Sequence, residues 1–176
     1  FFDVTAGVWF GTNNTRVYKS LTLVNWTTQV TTGQLNSYAI WFNNPLIGMT
    51  GGTALLITTN SGSTWQNVPS ALPGTANLSG ITGFGTTWLV TRQANIIYGS
   101  TNNGISWNIN YTAPGAGLYR HIGKDRASGN VFFATGSTGG ISKGVFFVGI
   151  TPVSTSIPDN YSLSQNYPNP FNPSTD

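Results

Sequence analysis

Few side chains in this sequence can carry a proton or a negative charge through a reaction. The only carboxylates are Asp3, Asp125, Asp159 and Asp176, and there is no Glu. Glycoside hydrolysis normally needs two acids flanking the scissile bond, and Asp125 stands alone in the long middle of the chain. The single imidazole, His121, has only Asp125 near it in sequence, which falls short of a nucleophile, base and acid acting together. It reads as a structural histidine. Arg16, Arg92 and Arg120 could together grip a substrate carboxylate, but nothing in their spacing brings them together. The absence of cysteine removes thiolate catalysis, disulfides and Cys-based zinc sites at once. One histidine is too few for a His-based metal centre. An oxygen-only calcium site around Asp125, Ser128 and Asn130 has no better claim than a plain turn. Gly83-Phe84-Gly85 lacks the strand-to-helix setting that a phosphate loop requires. No catalytic residue, metal or cofactor is therefore expected in this segment, and its status as an enzyme stays open.

The chemistry that is abundant suits strands and turns. Hydrophobic residues make up 39% and aromatics 13% of the chain, while charged residues are only 6%. Thr and the aromatics favour pleated surfaces, and Gly and Asn supply the backbone conformations of tight turns. Disordered chains are poor in aromatics and rich in net charge, the reverse of this composition. The net charge of +3 rests on seven cations against four acids. Arg16, Lys19, Arg92 and Lys143 are far apart, and the cluster Arg120, His121, Lys124 and Arg126 reads as a solvated turn, so no nucleic-acid partner is inferred. No apolar run approaches the roughly 18 residues of a membrane span. The start, Phe1-Phe2-Asp3-Val4, has neither Met nor a signal-peptide pattern, so the sequence is expected to begin inside something longer or after processing.

Tryptophans mark an internal repeat. Thr58-Thr59-Asn60-Ser61-Gly62-Ser63-Thr64-Trp65 aligns position for position with Ser100-Thr101-Asn102-Asn103-Gly104-Ile105-Ser106-Trp107, at a spacing of 42 residues. A weaker copy, Ser20-Leu21-Thr22-Leu23-Val24-Asn25-Trp26, lies 39 residues before Trp65. The apolar runs ahead of each tryptophan match as well: Ile40-Trp41-Phe42, Leu46 to Met49 and Ala54 to Ile57 against Ile81 to Phe84, Trp88 to Val90 and Asn95 to Tyr98. A degenerate fourth copy keeps the strand rhythm in Tyr119 to Ile122, Asn130 to Ala134 and Gly144 to Val148 but has no tryptophan. Units near 40 residues with three or four short strands predict an all-β fold of propeller blades, each a small sheet that must stack on its neighbours. A β-sandwich with accidental similarity is the plainer alternative. The turn argues for the blades, because Asn60 or Asn102 can bond backbone amides, Gly62 or Gly104 can take positive φ, and Trp65 or Trp107 can pack between strands.

At these residues the chain resembles the Asp-box, or BNR, repeat of sialidases and related propellers, across residues 1–150. Asn60 and Asn102 replace the Asp of that pattern, which is compatible with a structural turn and removes any acidic role. The resemblance implies six to eight blades in a complete propeller, of which three clear copies and one degenerate copy are present, so a partial propeller is expected. It also makes a sialidase-like hydrolase the sharpest enzymatic alternative. That chemistry uses a Tyr nucleophile with a Glu, an Asp acid/base and three arginines, and the missing Glu argues against it here.

After Ile150 the composition changes. Residues 151–158 read as a linker, and prolines alternating with Asn in Gln165-Asn166-Tyr167-Pro168-Asn169-Pro170-Phe171-Asn172-Pro173 forbid a central strand or a helix. An extended Pro/Asn-rich tail with Tyr167 and Phe171 as apolar pegs is expected over residues 151–176. This run resembles the opening of the type A sorting domain of type IX secretion. The resemblance implies the type IX secretion machinery as a partner, and an extracellular or outer-membrane-surface location in a Gram-negative bacterium.

Taken together, these readings favour a secreted or cell-surface, non-catalytic propeller that binds glycans or other surface proteins. A self-associating protein of a surface layer or filament is the second reading, since low net charge favours association. The C-terminal part of a larger sialidase-like glycoside hydrolase is the third. Trp41, Trp88 and Tyr119 could stack on sugars if they point outward, although core packing is the plainer role for them. The Asn-x-Ser/Thr sequences at Asn13, Asn25, Asn77, Asn110 and Asn160 are by-products of the composition.

Overall fold

Apolar runs of four to seven residues, punctuated by Gly, Asn and Ser, become four small antiparallel sheets that follow one another along the chain. A computed structural model describes residues 2–3, 7–11, 15–31, 36–115, 117–125 and 129–146, with backbone alone for residues 2–3 and 8–11. The first sheet holds β1 (Phe2–Asp3), β2 (Gly7–Gly11), β3 (Arg16–Ser20) and β4 (Thr27–Val30). The second holds β5 (Ser37–Phe42), β6 (Gly48–Gly52), β7 (Leu55–Thr58) and β8 (Gln66–Asn67). The third holds β9 (Leu78–Phe84), β10 (Thr87–Arg92), β11 (Ile96–Ser100) and β12 (Asn108–Thr112). The fourth holds β13 (Tyr119–Lys124), β14 (Val131–Gly136) and β15 (Ile141–Val145). Each sheet is a simple meander in chain order. Among the described residues there is no helix, and so none long and apolar enough to cross a membrane.

The repeat read from the tryptophans is present in the register. Met49 pairs with Ile57 and Leu56 with Asn67 in the second sheet; Leu89 pairs with Gly99 and Tyr98 with Ile109 in the third. The third strand of the fourth sheet begins earlier than the sequence suggested, at Ile141 rather than Gly144. A tight return sets this: the Gly136 amide donates to the Gly140 carbonyl at 2.7 Å, which places Ile141 opposite Thr135.

Successive sheets stack face to face, with β9 lying against both β5 and β13. Three apolar layers result. Val17, Leu56, Phe42 and Trp65 join the first sheet to the second. Met49, Leu55, Ile57, Leu78, Ile81, Trp88 and Val90 are among those joining the second to the third. Leu89, Ile97, Tyr119, Ile122, Phe132 and Phe146 are among those joining the third to the fourth. Trp88 and Tyr119 are therefore core residues rather than sugar platforms, each contributing on the order of 1.5–3 kcal/mol of burial. Close approach of the stacked sheets explains Gly80, where an added Cβ would stand 2.6 Å from the Ile122 backbone nitrogen on the next sheet.

Asp159, Asp176, Arg126, Ser128, Phe147, Val148, Asn13, Asn160, the residue 150 boundary and Gln165 to Pro173 lie outside the described residues.

Candidate functional site

Two turns of one design connect the third and fourth strands of the second and third sheets. In the first, the Asn60 side-chain oxygen accepts from the Thr58 hydroxyl at 3.0 Å and the Thr64 amide at 2.9 Å, while its side-chain nitrogen donates to the Thr64 hydroxyl at 2.9 Å. The Thr58 hydroxyl in turn accepts from the Gly62 amide at 2.9 Å. Ser100, Asn102, Gly104 and Ser106 repeat every one of these bonds at 2.8–3.0 Å. Ser61 and Asn103 sit at φ 59° and 54°, and Gly62 and Gly104 at 79° and 81°. Two successive left-handed residues demand the glycine, because a Cβ there is strained. Trp65 and Trp107 follow, 7% and 8% exposed, each packed toward the preceding sheet. Trp65 meets Phe42 edge-on, with ring centroids 6.1 Å apart.

Trp26 departs from this pattern. Its turn is one residue shorter, so the Ser20 hydroxyl accepts from the Leu23 amide at 2.8 Å and the single left-handed position, at φ 66°, falls on Leu23. The shorter turn has Thr22 where the others have asparagine, and it has no glycine; Trp26 is left 39% exposed.

The side chains considered for chemistry are not brought together into a centre. Arg16 and Arg120 are exposed on the first and fourth sheets. Arg92 is buried instead, donating to the carbonyls of Leu72, at 3.1 Å, and Ala76. Burial pushes its pKa below the ordinary arginine value, with the Tyr98 hydroxyl opposing that shift. This arginine fastens the loop between β8 and β9. His121 is exposed on β13, and Asp125 opens a turn in which its amide donates to the Val131 carbonyl at 2.8 Å. Among the described residues no group of three or more His, Asp or Glu could hold a metal ion.

A different grouping forms where the first strands of three successive sheets end. Lys124, the last residue of β13, holds its ammonium 5.1 Å from the centre of the Phe84 ring and 5.9 Å from Trp41. Both distances lie within cation–π range. The Trp41 indole donates to the Asn43 side-chain oxygen at 3.0 Å, and the Asn43 nitrogen donates to the carbonyls of Gly85, at 2.9 Å, and Thr87, at 3.2 Å, on the next sheet. Gly83 leaves room for this bridge, since a Cβ there would stand 2.4 Å from the Asn43 oxygen. Half-buried Trp41, partly exposed Phe84 and Lys124 thus form an aromatic surface carrying one cation. Sequence reasoning allowed Trp41 to stack on a ligand but favoured core packing for it, and missed Phe84 and Lys124 as its partners, because they come from three repeats and occupy non-equivalent places in them.

Comparison with known proteins gives structural likeness only. No family model matches the chain, and no curated protein matches it. An ancestral GH74 enzyme superposes with a TM-score of 0.62 at 16% identity, over 81% of this chain and 22% of that one. YCF48, solved bound to D1 peptide, superposes with a TM-score of 0.52 at 17% identity, over 81% of this chain and 40% of that one. Both are β-propeller proteins. The chain is a partial β-propeller. The computationally designed Ika4 protein matches at a TM-score of 0.50 and 10% identity, over 80% of this chain and 92% of that one. This propeller chain spans about a fifth of the GH74 enzyme and two fifths of YCF48.

Proposed function

We propose that this chain is a non-catalytic propeller module that binds proteins or glycans outside a Gram-negative cell. The observation that carries the reading is the end of the first strands, where Trp41, Phe84 and Lys124 from three successive blades form one aromatic, cationic surface. Aromatic faces stack on sugar rings or apolar side chains, and the ammonium offers a charge-assisted hydrogen bond to an anionic group. The scarcity of acids supports binding over hydrolysis, since Asp125 is the only carboxylate between Asp3 and Asp159. The peptide-bound propeller YCF48 is a precedent for such use of the fold.

The tryptophan turns support an Asp-box type of blade in which Asn60 and Asn102 keep the acceptor that closes the turn. In this reading the domain boundary falls near residue 150, and Gln165 to Pro173 open a sorting region addressed to the type IX secretion machinery. Self-association has its own support in the turn between β3 and β4, which exposes Leu21, Leu23 and Val24. The hydrolase alternative places catalytic residues in some other part of a larger protein.

Binding of purified host outer-membrane proteins and surface polysaccharides to the immobilised chain tests the module. The expected result is saturable binding that weakens when Lys124→Ala or Trp41→Ala is introduced, with no turnover of sialosides or other glycosides. Turnover that disappears in Asp125→Asn would overturn the reading. For export, deletion of residues 151–176 in the host is expected to trap the protein in the periplasm; unchanged export would remove the sorting role.

A further inference from the structure

Beside the shortened turn of the first sheet lies a pocket of about 420 Å³, shared with the next blade. Lys19, Leu21, Asn25 and Gln29 line it from the first sheet, and Ser61 and Ser63 line it from the turn that follows β7. The Lys19 ammonium joins the two walls, donating to the Ser61 carbonyl at 3.3 Å. No carboxylate and no aromatic side chain lines the pocket.

The wall also holds a buried hydroxyl whose proton is unused. Ser20, 1% exposed, accepts from the Thr22 and Leu23 amides at 3.3 and 2.8 Å. The hydroxyls at the same place in the next two blades, on Thr58 and Ser100, donate to the side-chain oxygens of Asn60 and Asn102. In the first blade Thr22 stands where those asparagines do, and its own oxygen accepts from the Val24 and Asn25 amides at 3.3 Å. The Ser20 hydroxyl therefore donates to no acceptor among the described residues. A buried donor left without an acceptor is costly, and a ligand oxygen in the pocket would relieve that cost.

We propose that this pocket binds a hexuronate, a six-membered sugar ring carrying one carboxylate, either free or as a unit of an acidic polysaccharide. The site goes beyond the binding-module reading, since it shares no residue with the Lys124 surface. The lining chooses the ligand. One ammonium and no acid favour a single negative charge and disfavour an amine. The carboxamides of Asn25 and Gln29 and the hydroxyl of Ser63 can each donate and accept, which suits a ligand with hydroxyls around its ring. The lack of an aromatic wall disfavours a planar base or indole, while exposed Leu21 offers an apolar contact to ring C–H groups. A cavity of roughly 150 Å³ holds a benzene-sized ring, so 420 Å³ accommodates a hexose with its substituents.

The test is a saturation-transfer NMR titration of the full chain with galacturonate and with galactose. Galacturonate is expected to bind at least about tenfold more tightly, the share of one charge-assisted hydrogen bond, and to stay bound when equimolar inorganic phosphate is added. Lys19→Met keeps the apolar stem and should lower galacturonate affinity by the same factor. Thr22→Asn gives the Ser20 proton the acceptor present in the other blades and should weaken binding roughly two- to tenfold while the melting temperature holds. If either variant fails to fold, Gln29→Leu alters the lining on β4 without touching the turn and should weaken binding by a similar factor. A galacturonate trimer that binds more tightly than the monomer assigns the pocket to a polymer, and equal affinity assigns it to the free sugar; both outcomes support the class. Equal affinity for galactose, displacement by phosphate, no binding, or binding unchanged in the folded variants would overturn the proposal. Polymer binding that depends on Lys124 is a separate readout, so its survival in Lys19→Met leaves the module standing whatever the pocket does.

Discussion

Replacing Asn60 by alanine and by aspartate separates a structural turn from an acidic one. Alanine removes two bonds accepted by the side-chain oxygen and one donated by its nitrogen, all at 2.9–3.0 Å. A net hydrogen bond is worth roughly 0.5–1.5 kcal/mol, and this asparagine is exposed, so water replaces part of each bond. A cost of about 1–2 kcal/mol follows, similar to loss of a helix N-cap oxygen. Aspartate keeps both accepting roles, and the Thr64 hydroxyl can turn to donate where it accepted, so Asn60→Asp is expected to stay within about 0.5 kcal/mol of the parent. Asn102→Ala breaks the matching bonds in a separate blade, and the double alanine variant should lose about 2–4 kcal/mol, the sum of the singles. Urea unfolding followed by tryptophan fluorescence compares the four variants with the parent, with the midpoint falling in the alanine variants and the slope unchanged. An alanine variant within about 0.3 kcal/mol of the parent, or an aspartate variant as unstable as the alanine one, would refute the reasoning.

Other perturbations have graded outcomes. Trp107→Ala should cost about 3–5 kcal/mol by opening the layer between the second and third blades, whereas Trp26→Ala, at a partly exposed ring, should cost under half as much; differential scanning calorimetry compares them. Gly80→Val should destabilise by at least about 1–3 kcal/mol, because the side chain meets the Ile122 backbone, and a melting temperature equal to the parent's would contradict that packing. Arg92→Met leaves the Leu72 and Ala76 carbonyls without their donor and should cost about 1–3 kcal/mol in urea unfolding. A base whose folded pKa is depressed gains stability only as pH rises through that pKa, and arginine stays protonated well above neutrality. The Arg92 contribution should therefore be flat from about pH 5 to 9.

The elements most legible in the sequence were those governed by local chemistry. Alternation of apolar runs with Gly and Asn located the strands, and the asparagine, glycine and tryptophan of the turns announced their own hydrogen bonds. Positions that depend on which blade packs on which were not legible. Lys124 meets Phe84 and Trp41 only because three strands about 40 residues apart end at one level, and no spacing rule within a repeat encodes that. Arg92 looked like one of three candidate ligands for a carboxylate, but the carbonyls it serves belong to a loop whose path is fixed by packing.

The packing of one repeat on the next underlies the fold and the aromatic surface alike, and fluorine NMR of the chain labelled with 5-fluorotryptophan tests it directly. With resonances assigned by single Trp→Phe substitutions, Trp65, Trp88 and Trp107 should be shielded from a soluble paramagnetic quencher and lose their dispersed shifts in one cooperative transition, while Trp26 is broadened at low quencher concentration. Quenching of Trp65 or Trp107 as readily as Trp26 would contradict stacked blades with tryptophans seated between them.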